Sequence, residues 1–87
     1  MPFALSRDEL AEALRYLQRA IQFDTVNPPG NEAPLAAWLD TVLSAEGIET
    51  RVVEPVAGRA ALVARIRGTG AKRPILLTAH IDVVGVE

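Results

Sequence analysis

The sequence feature that most constrains the fold is a short apolar run in front of the only histidine of the chain. Residues 75–79 have the sequence Ile-Leu-Leu-Thr-Ala, and Pro74 precedes them. A run of this length after a chain-breaking residue is typical of a strand that is buried on both faces, because such a strand has no polar face. The sequence therefore predicts a buried β-strand over residues 75–79.

His80 and Asp82 follow this run directly. Ligands bind beyond the carboxyl ends of strands in open α/β sheets, and side chains two residues apart on a strand point the same way. A neutral imidazole is a common metal ligand, and a carboxylate on its second ring nitrogen fixes its tautomer and orientation. The pair could therefore form part of a metal or catalytic site. The simpler alternatives are a hydrogen-bonded core histidine and an aspartate that caps a turn.

Two amphipathic helices are predicted ahead of this strand. Ser6 and Glu9 match the capping box that starts a helix, which we expect to extend to about Phe23. Asn31 is the predicted N-cap of the second helix, and Gly47 is its predicted left-handed C-terminal cap. Each helix carries an apolar stripe that is expected to face the core: Leu10, Ala13, Leu14, Leu17, Ala20 and Ile21 in the first, and Leu35, Trp38, Leu39, Val42 and Leu43 in the second.

The residues outside the helices predict a loop and a hairpin. Residues 24–30 contain two prolines and a glycine, so we interpret them as a stiff structural loop rather than a binding site. Residues 48–54 and 60–67 predict two strands, and the short connection between them favours an antiparallel hairpin. With the strand at residues 75–79, the order of two helices and three strands predicts an α/β layered domain.

Composition and charge exclude several classes of protein. Apolar residues make up 49% of the 87 residues, so disorder is not expected. The absence of cysteine excludes a disulfide scaffold and a thiolate metal site. A formal net charge of −2 gives no electrostatic case for binding nucleic acid or an anionic membrane. No membrane-spanning run or secretory signal is evident, so we expect a cytoplasmic protein with neither nucleic acid nor membrane as partner.

Residues 76–84, Leu-Leu-Thr-Ala-His-Ile-Asp-Val-Val, resemble the first metal motif of the zinc-dependent aminoacylase and carboxypeptidase family, metallopeptidase family twenty. Its members include glutamate carboxypeptidase, acetylornithine deacetylase and succinyl-diaminopimelate desuccinylase. The usual motif is an apolar strand followed by Gly-His-x-Asp-Val-Val-Pro, and Ala79 and Gly85 stand here in place of the glycine and the proline. The layout of the preceding residues is also similar to that family, so the resemblance spans the chain, with the motif as its specific part.

The resemblance implies a layered α/β/α catalytic domain with a mixed sheet, of which residues 1–87 are the N-terminal part. It implies that His80 is a zinc ligand and that Asp82 is the catalytic-site acid that steers this metal-bound histidine. The family uses two zinc ions, and the remaining ligands and the general-base glutamate would lie downstream of Glu87. The whole protein would hydrolyse amide bonds in peptides or N-acyl amino acids, whereas this part alone is expected to be inactive.

A second class of function stays open, namely a non-catalytic small α/β module that binds a partner, or a gene remnant. In either case residues 75–79 contain no proline or charge that would block pairing with another chain. We therefore expect a homo-oligomer that is joined through an exposed sheet edge.

Overall fold

The computed structural model describes residues 4–86, and residues 1–3 and 87 lie outside the described part. Its elements are α1 (Arg7–Ala20), α2 (Ala33–Ala45), β1 (Glu49–Val56) and β2 (Arg59–Arg65). The two strands form an antiparallel hairpin. The chain is thus a small mixed α/β fold, and the predicted order of two helices followed by a hairpin is confirmed. Neither helix in this part of the chain has the length and hydropathy that a membrane span requires.

The first helix starts as the capping box predicts. The Glu9 backbone N–H donates to Ser6 Oγ at 3.1 Å, and the Ser6 backbone N–H donates to Glu9 Oε1 at 2.8 Å. These bonds satisfy two of the N–H groups that a helix start leaves without partners. The helix ends at Ala20 with Ile21 as its C-cap, three residues before the predicted end at Phe23.

The packed centre of the fold lies where α2 meets the hairpin. Leu35 and Ala36, in the first turn of α2, are buried, and α2 packs against both strands. The helix follows Glu32 rather than the predicted cap Asn31, and Glu32 makes no side-chain cap hydrogen bond. Gly47 has a positive φ of 77°, which confirms the predicted left-handed cap.

Trp38 of α2 joins the two helices. Its ring lies 6.2 Å from the Tyr16 ring in an edge-on arrangement and 5.8 Å from the Phe23 ring. Such aromatic pairs stabilise helix contacts beyond the area that they bury. Trp38 is half-buried, so it acts as a packing residue at the boundary between α1 and α2.

Both strands of the hairpin differ slightly from their predicted bounds. The strand β1 continues through Pro55 to Val56 instead of ending before the proline. An irregularity in the pairing between Val53 and Val56 accommodates Pro55, which has no N–H to donate to the ladder. The strand β2 begins at Arg59 and ends at Arg65, two residues before the predicted end.

The predicted third strand over residues 75–79 is wrong for this structure. The hairpin is the only sheet of residues 4–86, and Ile75, Leu76 and Leu77 are 85%, 87% and 88% exposed rather than buried. A strand needs a neighbouring backbone to pair with and a layer that covers its side chains. The apolar sequence favours burial but supplies neither of them.

The expectation that the apolar stripe of α1 faces a core is also wrong. Leu10, Leu14, Leu17 and Ile21 are between 54% and 73% exposed, and α1 contains no buried residue. Amphipathic spacing shows which face of a helix would be buried, but a second layer has to cover that face. Here α1 meets α2 through the aromatic rings of Tyr16 and Trp38.

We expect Leu35→Ala to lower the free energy of unfolding by about 2–5 kcal/mol, because it leaves a cavity between α2 and the hairpin. Leu10→Ala is the matched control in α1, where the side chain is 55% exposed, and it should change stability by no more than about 0.5 kcal/mol. Urea unfolding of both variants measures the difference. Equal losses of stability in the two variants would contradict the assignment of the core to α2.

Candidate functional site

His80 and Asp82 lie in direct contact. His80 Nδ1 is 2.8 Å from the backbone oxygen of Asp82 and 3.3 Å from Asp82 Oδ1. Because both neighbours are hydrogen-bond acceptors, the neutral ring carries its proton on Nδ1, where it donates to Asp82. The His80 side chain is 84% exposed, and Asp82 is largely covered at 28%. This arrangement leaves the Nε2 lone pair free to bind a ligand.

The segment that carries this pair is held by residues 25–27, which lie more than fifty positions earlier in the chain. Thr25 Oγ1 donates to the Ile81 oxygen at 2.8 Å. The Val83 N–H donates to the Thr25 oxygen at 3.1 Å, and the Asn27 N–H donates to the Val83 oxygen at 2.8 Å. The two backbone bonds form a single parallel bridge between Val26 and Val83. The pair is therefore placed by this short ladder and not by the strand that the sequence predicts.

Asn27 also contacts the carboxylate of Asp82. Its Nδ2 donates to Asp82 Oδ2 at 3.0 Å. This hydrogen bond lowers the pKa of Asp82 below its ordinary value of 3.8, and the nearby imidazole of His80 acts in the same direction. The carboxylate is consequently ionised at neutral pH. The interpretation of residues 24–30 as a purely structural loop missed this contact with the candidate site.

Arg59 links the site to the start of α2. Its Nε donates to both carboxylate oxygens of Glu32, at 2.9 and 2.8 Å, and its Nη2 lies 3.8 Å from Asp82 Oδ2. The Glu32 side chain is only 6% exposed, and the hydrogen bond from Arg59 lowers its pKa. A carboxylate so far removed from water requires a cationic partner, so Glu32 and Arg59 depend on each other.

Gly30 makes room for the guanidinium of Arg59. Its φ of +96° is a left-handed conformation, which glycine adopts most readily. A Cβ atom at this position would lie 2.7 Å from both Cζ and Nε of Arg59. The glycine that follows the two prolines is thus required by the ion pair as well as by the turn.

An open cleft of about 570 Å³ lies beside Arg59, between the loop at residues 24–31 and the hairpin turn. Asp24, Asn31 and Arg59 supply its charged and polar groups. The Gly58 oxygen accepts from the Ala33 N–H at 3.1 Å, which fixes the hairpin turn against α2. His80 and Asp82 are not among the lining residues, so the cleft adjoins the pair through Arg59.

The His80–Asp82 pair can supply one metal ligand, His80, and one carboxylate that orients its ring. A catalytic zinc normally has three protein ligands and one open position. No group of three His, Cys, Asp or Glu side chains that could hold a metal occurs within residues 4–86. His80 offers Nε2, whereas the Asp82 carboxylate is engaged by Asn27, Arg59 and His80. Within residues 4–86 the pair therefore offers one ligand, fewer than a catalytic zinc requires.

Sequence reasoning missed four residues around the pair: Thr25, Asn27, Glu32 and Arg59. None belongs to a local motif that indicates contact with residues 80–83. The nearest signal is Glu32, an acid at the start of a helix, which is a common position for an acid because of the helix dipole. Its burial and its pairing with Arg59 follow from the tertiary structure.

Comparisons with protein-family models, curated proteins and solved structures find no match for this chain.

We expect Thr25→Val to lower stability by about 1 kcal/mol, because the Ile81 oxygen loses its donor while the side chain keeps its shape. It should also speed hydrogen exchange of the Val83 amide, which donates to Thr25. The control is Thr41→Val, which removes an exposed hydrogen bond to the Trp38 oxygen within α2. Exchange of the Val83 amide that is unchanged in Thr25→Val would show that this ladder does not hold the segment.

Proposed function

We propose that this chain is the N-terminal part of a zinc-dependent amide-bond hydrolase, with a layered α/β/α catalytic domain, that acts in the cytoplasm on peptides or N-acyl amino acids. The observation that carries the proposal is the contact of His80 Nδ1 with Asp82, which leaves Nε2 exposed. A metal-binding histidine typically has its other ring nitrogen bonded to a carboxylate or carbonyl, and Asp82 supplies both kinds of oxygen. The resemblance of residues 76–84 to the first metal motif of metallopeptidase family twenty supports the same assignment.

In this proposal His80 binds zinc through Nε2, and Asp82 holds the ring in the required tautomer. Zinc supplies polarisation of the scissile carbonyl and a more acidic bound water. The ionised Asp82, as acceptor of the Nδ1 hydrogen bond, would orient the ring and raise the basicity of Nε2. Its own position is maintained by the hydrogen bond from Asn27.

The proposal requires more ligands than residues 4–86 bring together. In the family that the motif resembles, they include a bridging aspartate, another acid, a second histidine and a Glu-Glu pair that provides the general base. We propose that these residues are encoded downstream of Glu87. The alternative, a non-catalytic module or a gene remnant, needs none of them.

Activity should depend on those downstream residues. We expect the 87-residue chain with added zinc to show no turnover of N-acetyl amino acids or dipeptides, because one histidine cannot hold a catalytic zinc. A gene product that carries the downstream Glu-Glu pair and second histidine should hydrolyse these substrates and lose most of its activity in His80→Ala. A hydrolysis assay with both proteins measures this.

Two results would contradict the proposal. Full activity of His80→Ala in the longer product would remove His80 from the zinc site. A coding sequence without a downstream Glu-Glu pair and histidine would favour the non-catalytic alternative. Arg67→Gln is a suitable control in the longer product, since Arg67 forms an exposed pair with Glu49 at 3.2 Å.

We also propose that the 87-residue chain self-associates through residues 75–79. The exposed side chains of Ile75, Leu76 and Leu77 form an apolar strip. Antiparallel pairing of two copies about Leu77 would place Ile75 opposite Ala79 of the partner subunit, so apolar side chains would meet. A second copy of the chain is therefore a suitable binding partner for this apolar strip.

We expect the sedimentation coefficient of the chain to rise with concentration and that of Leu76→Lys to stay at the monomer value, because a charge in the strip opposes pairing. Gln18→Lys adds the same charge on the exposed surface of α1 and should associate like the original chain. A folded chain that remains monomeric at high concentration would refute this mode of association.

A further inference from the structure

We infer that Arg59 is a positioning residue for the His80–Asp82 pair, held in place by the buried carboxylate of Glu32. Its relevance to zinc binding rests on the proposed function, whereas its effect on the His80 ring can be measured without any metal. The inference stands on a continuous chain of contacts that starts at α2 and ends at the imidazole.

The first contact in this series fixes the guanidinium of Arg59. Both oxygens of the nearly buried Glu32 accept from Arg59 Nε, and the guanidinium lies against the backbone of Gly30. A guanidinium whose Nε donates to a nearly buried carboxylate and which lies close to a backbone has little freedom to rotate. Its Nη2 is thereby directed toward the segment that carries Asp82.

The second step fixes the carboxylate of Asp82. Its Oδ2 lies 3.0 Å from the amide of Asn27 and 3.8 Å from Arg59 Nη2, so a donor and a cation both attract the same oxygen. A carboxylate is planar, and holding Oδ2 determines where Oδ1 lies. Oδ1 then lies 3.3 Å from His80 Nδ1.

The third step concerns the tautomer of His80. With Oδ1 and the backbone oxygen of Asp82 both facing Nδ1, the proton stays on Nδ1 and Nε2 remains an acceptor. Without Arg59, only Asn27 holds the Asp82 carboxylate beside its contact with His80, so the carboxylate can rotate away from the ring. The Nδ1–H tautomer should then lose part of its population.

The test uses the only histidine of the chain as its probe, so its imidazole signals need no further assignment. Two-bond proton–nitrogen spectra at about pH 8, where imidazoles are ordinarily neutral, report which ring nitrogen carries the proton. We expect mainly Nδ1–H in the original chain and a smaller share of that tautomer in Arg59→Gln, where the backbone oxygen of Asp82 still lies beside Nδ1. The control Arg67→Gln, which breaks an exposed pair of 3.2 Å with Glu49, should leave the spectrum unchanged.

Two further variants test whether the geometry of the Arg59 guanidinium, and not only its charge, determines the tautomer of His80. Arg59→Lys keeps the positive charge but cannot reach both Glu32 and Asp82 with one ammonium group, so it should lose the tautomer as Arg59→Gln does. Recovery of the original spectrum in Arg59→Lys would overturn the inference. Glu32→Gln keeps the shape of the side chain and loosens the guanidinium, so it should show the same loss to a smaller degree. Protection of the Val83 amide shows that each variant keeps the segment with His80 and Asp82 bonded to Thr25.

Zinc binding by the longer gene product distinguishes this inference from the proposed function, because one histidine cannot hold a catalytic zinc in the 87-residue chain. We expect the zinc affinity of the longer product to fall roughly 10- to 100-fold in Arg59→Gln. Equal zinc affinity of the two longer products, together with an equal tautomer in the two 87-residue chains, would overturn the role of Arg59 and leave His80 as a zinc ligand. Loss of the tautomer in Arg59→Gln, together with a zinc affinity of the longer product that His80→Ala leaves unchanged, would support the role of Arg59 and contradict the zinc site.

Discussion

The ion pair between Glu32 and Arg59 is the interaction on which the arrangement of the site depends. A carboxylate with so little exposure is tolerated only beside a cation, and the partner comes from the hairpin 27 residues later. The pair fixes the start of α2 against the hairpin turn, where the Ala33 N–H also donates to the Gly58 oxygen. It also places Arg59 Nη2 within 3.8 Å of Asp82 Oδ2.

The loop at residues 24–31 has two roles that are physically connected. Gly30 lets the guanidinium approach the backbone, and Thr25 and Asn27 bond to the segment that carries His80 and Asp82. Prolines in the same loop restrict its backbone, so these donors are held in place at a lower entropic cost on folding. A loop whose composition indicates only stiffness therefore becomes the support of the candidate site.

Much of the apolar surface of residues 4–86 is not covered by the chain itself. The stripe of α1 and the run at residues 75–77 are both exposed, while the buried residues concentrate at the start of α2. The hydrophobic effect makes exposure of such surfaces unfavourable in water. This supports both proposals made for these residues, namely membership of a larger layered domain and self-association.

Local features of the fold could be predicted because their causes lie within a few residues. The Ser6–Glu9 capping box, the left-handed Gly47 and the hairpin each depend on neighbouring positions, and the structure contains all three. The helix and strand ends shifted by one to three residues, because pairing and packing decide where an element stops. The proximity of His80 and Asp82 also follows from their separation of two residues, although the expected strand does not form.

The sequence by itself determined the two helices, the hairpin and the pair of residues that carries the proposed chemistry. The tertiary structure decided what surrounds that pair, because the contacts of Asp82 with Asn27 and of Ile81 with Thr25 span 55 and 56 residues. Periodicity records whether a face favours burial, but only the folded chain shows whether another layer covers it. For α1 and residues 75–77 no such layer lies within residues 4–86, whereas Glu32, a charged residue, is buried because Arg59 meets it there.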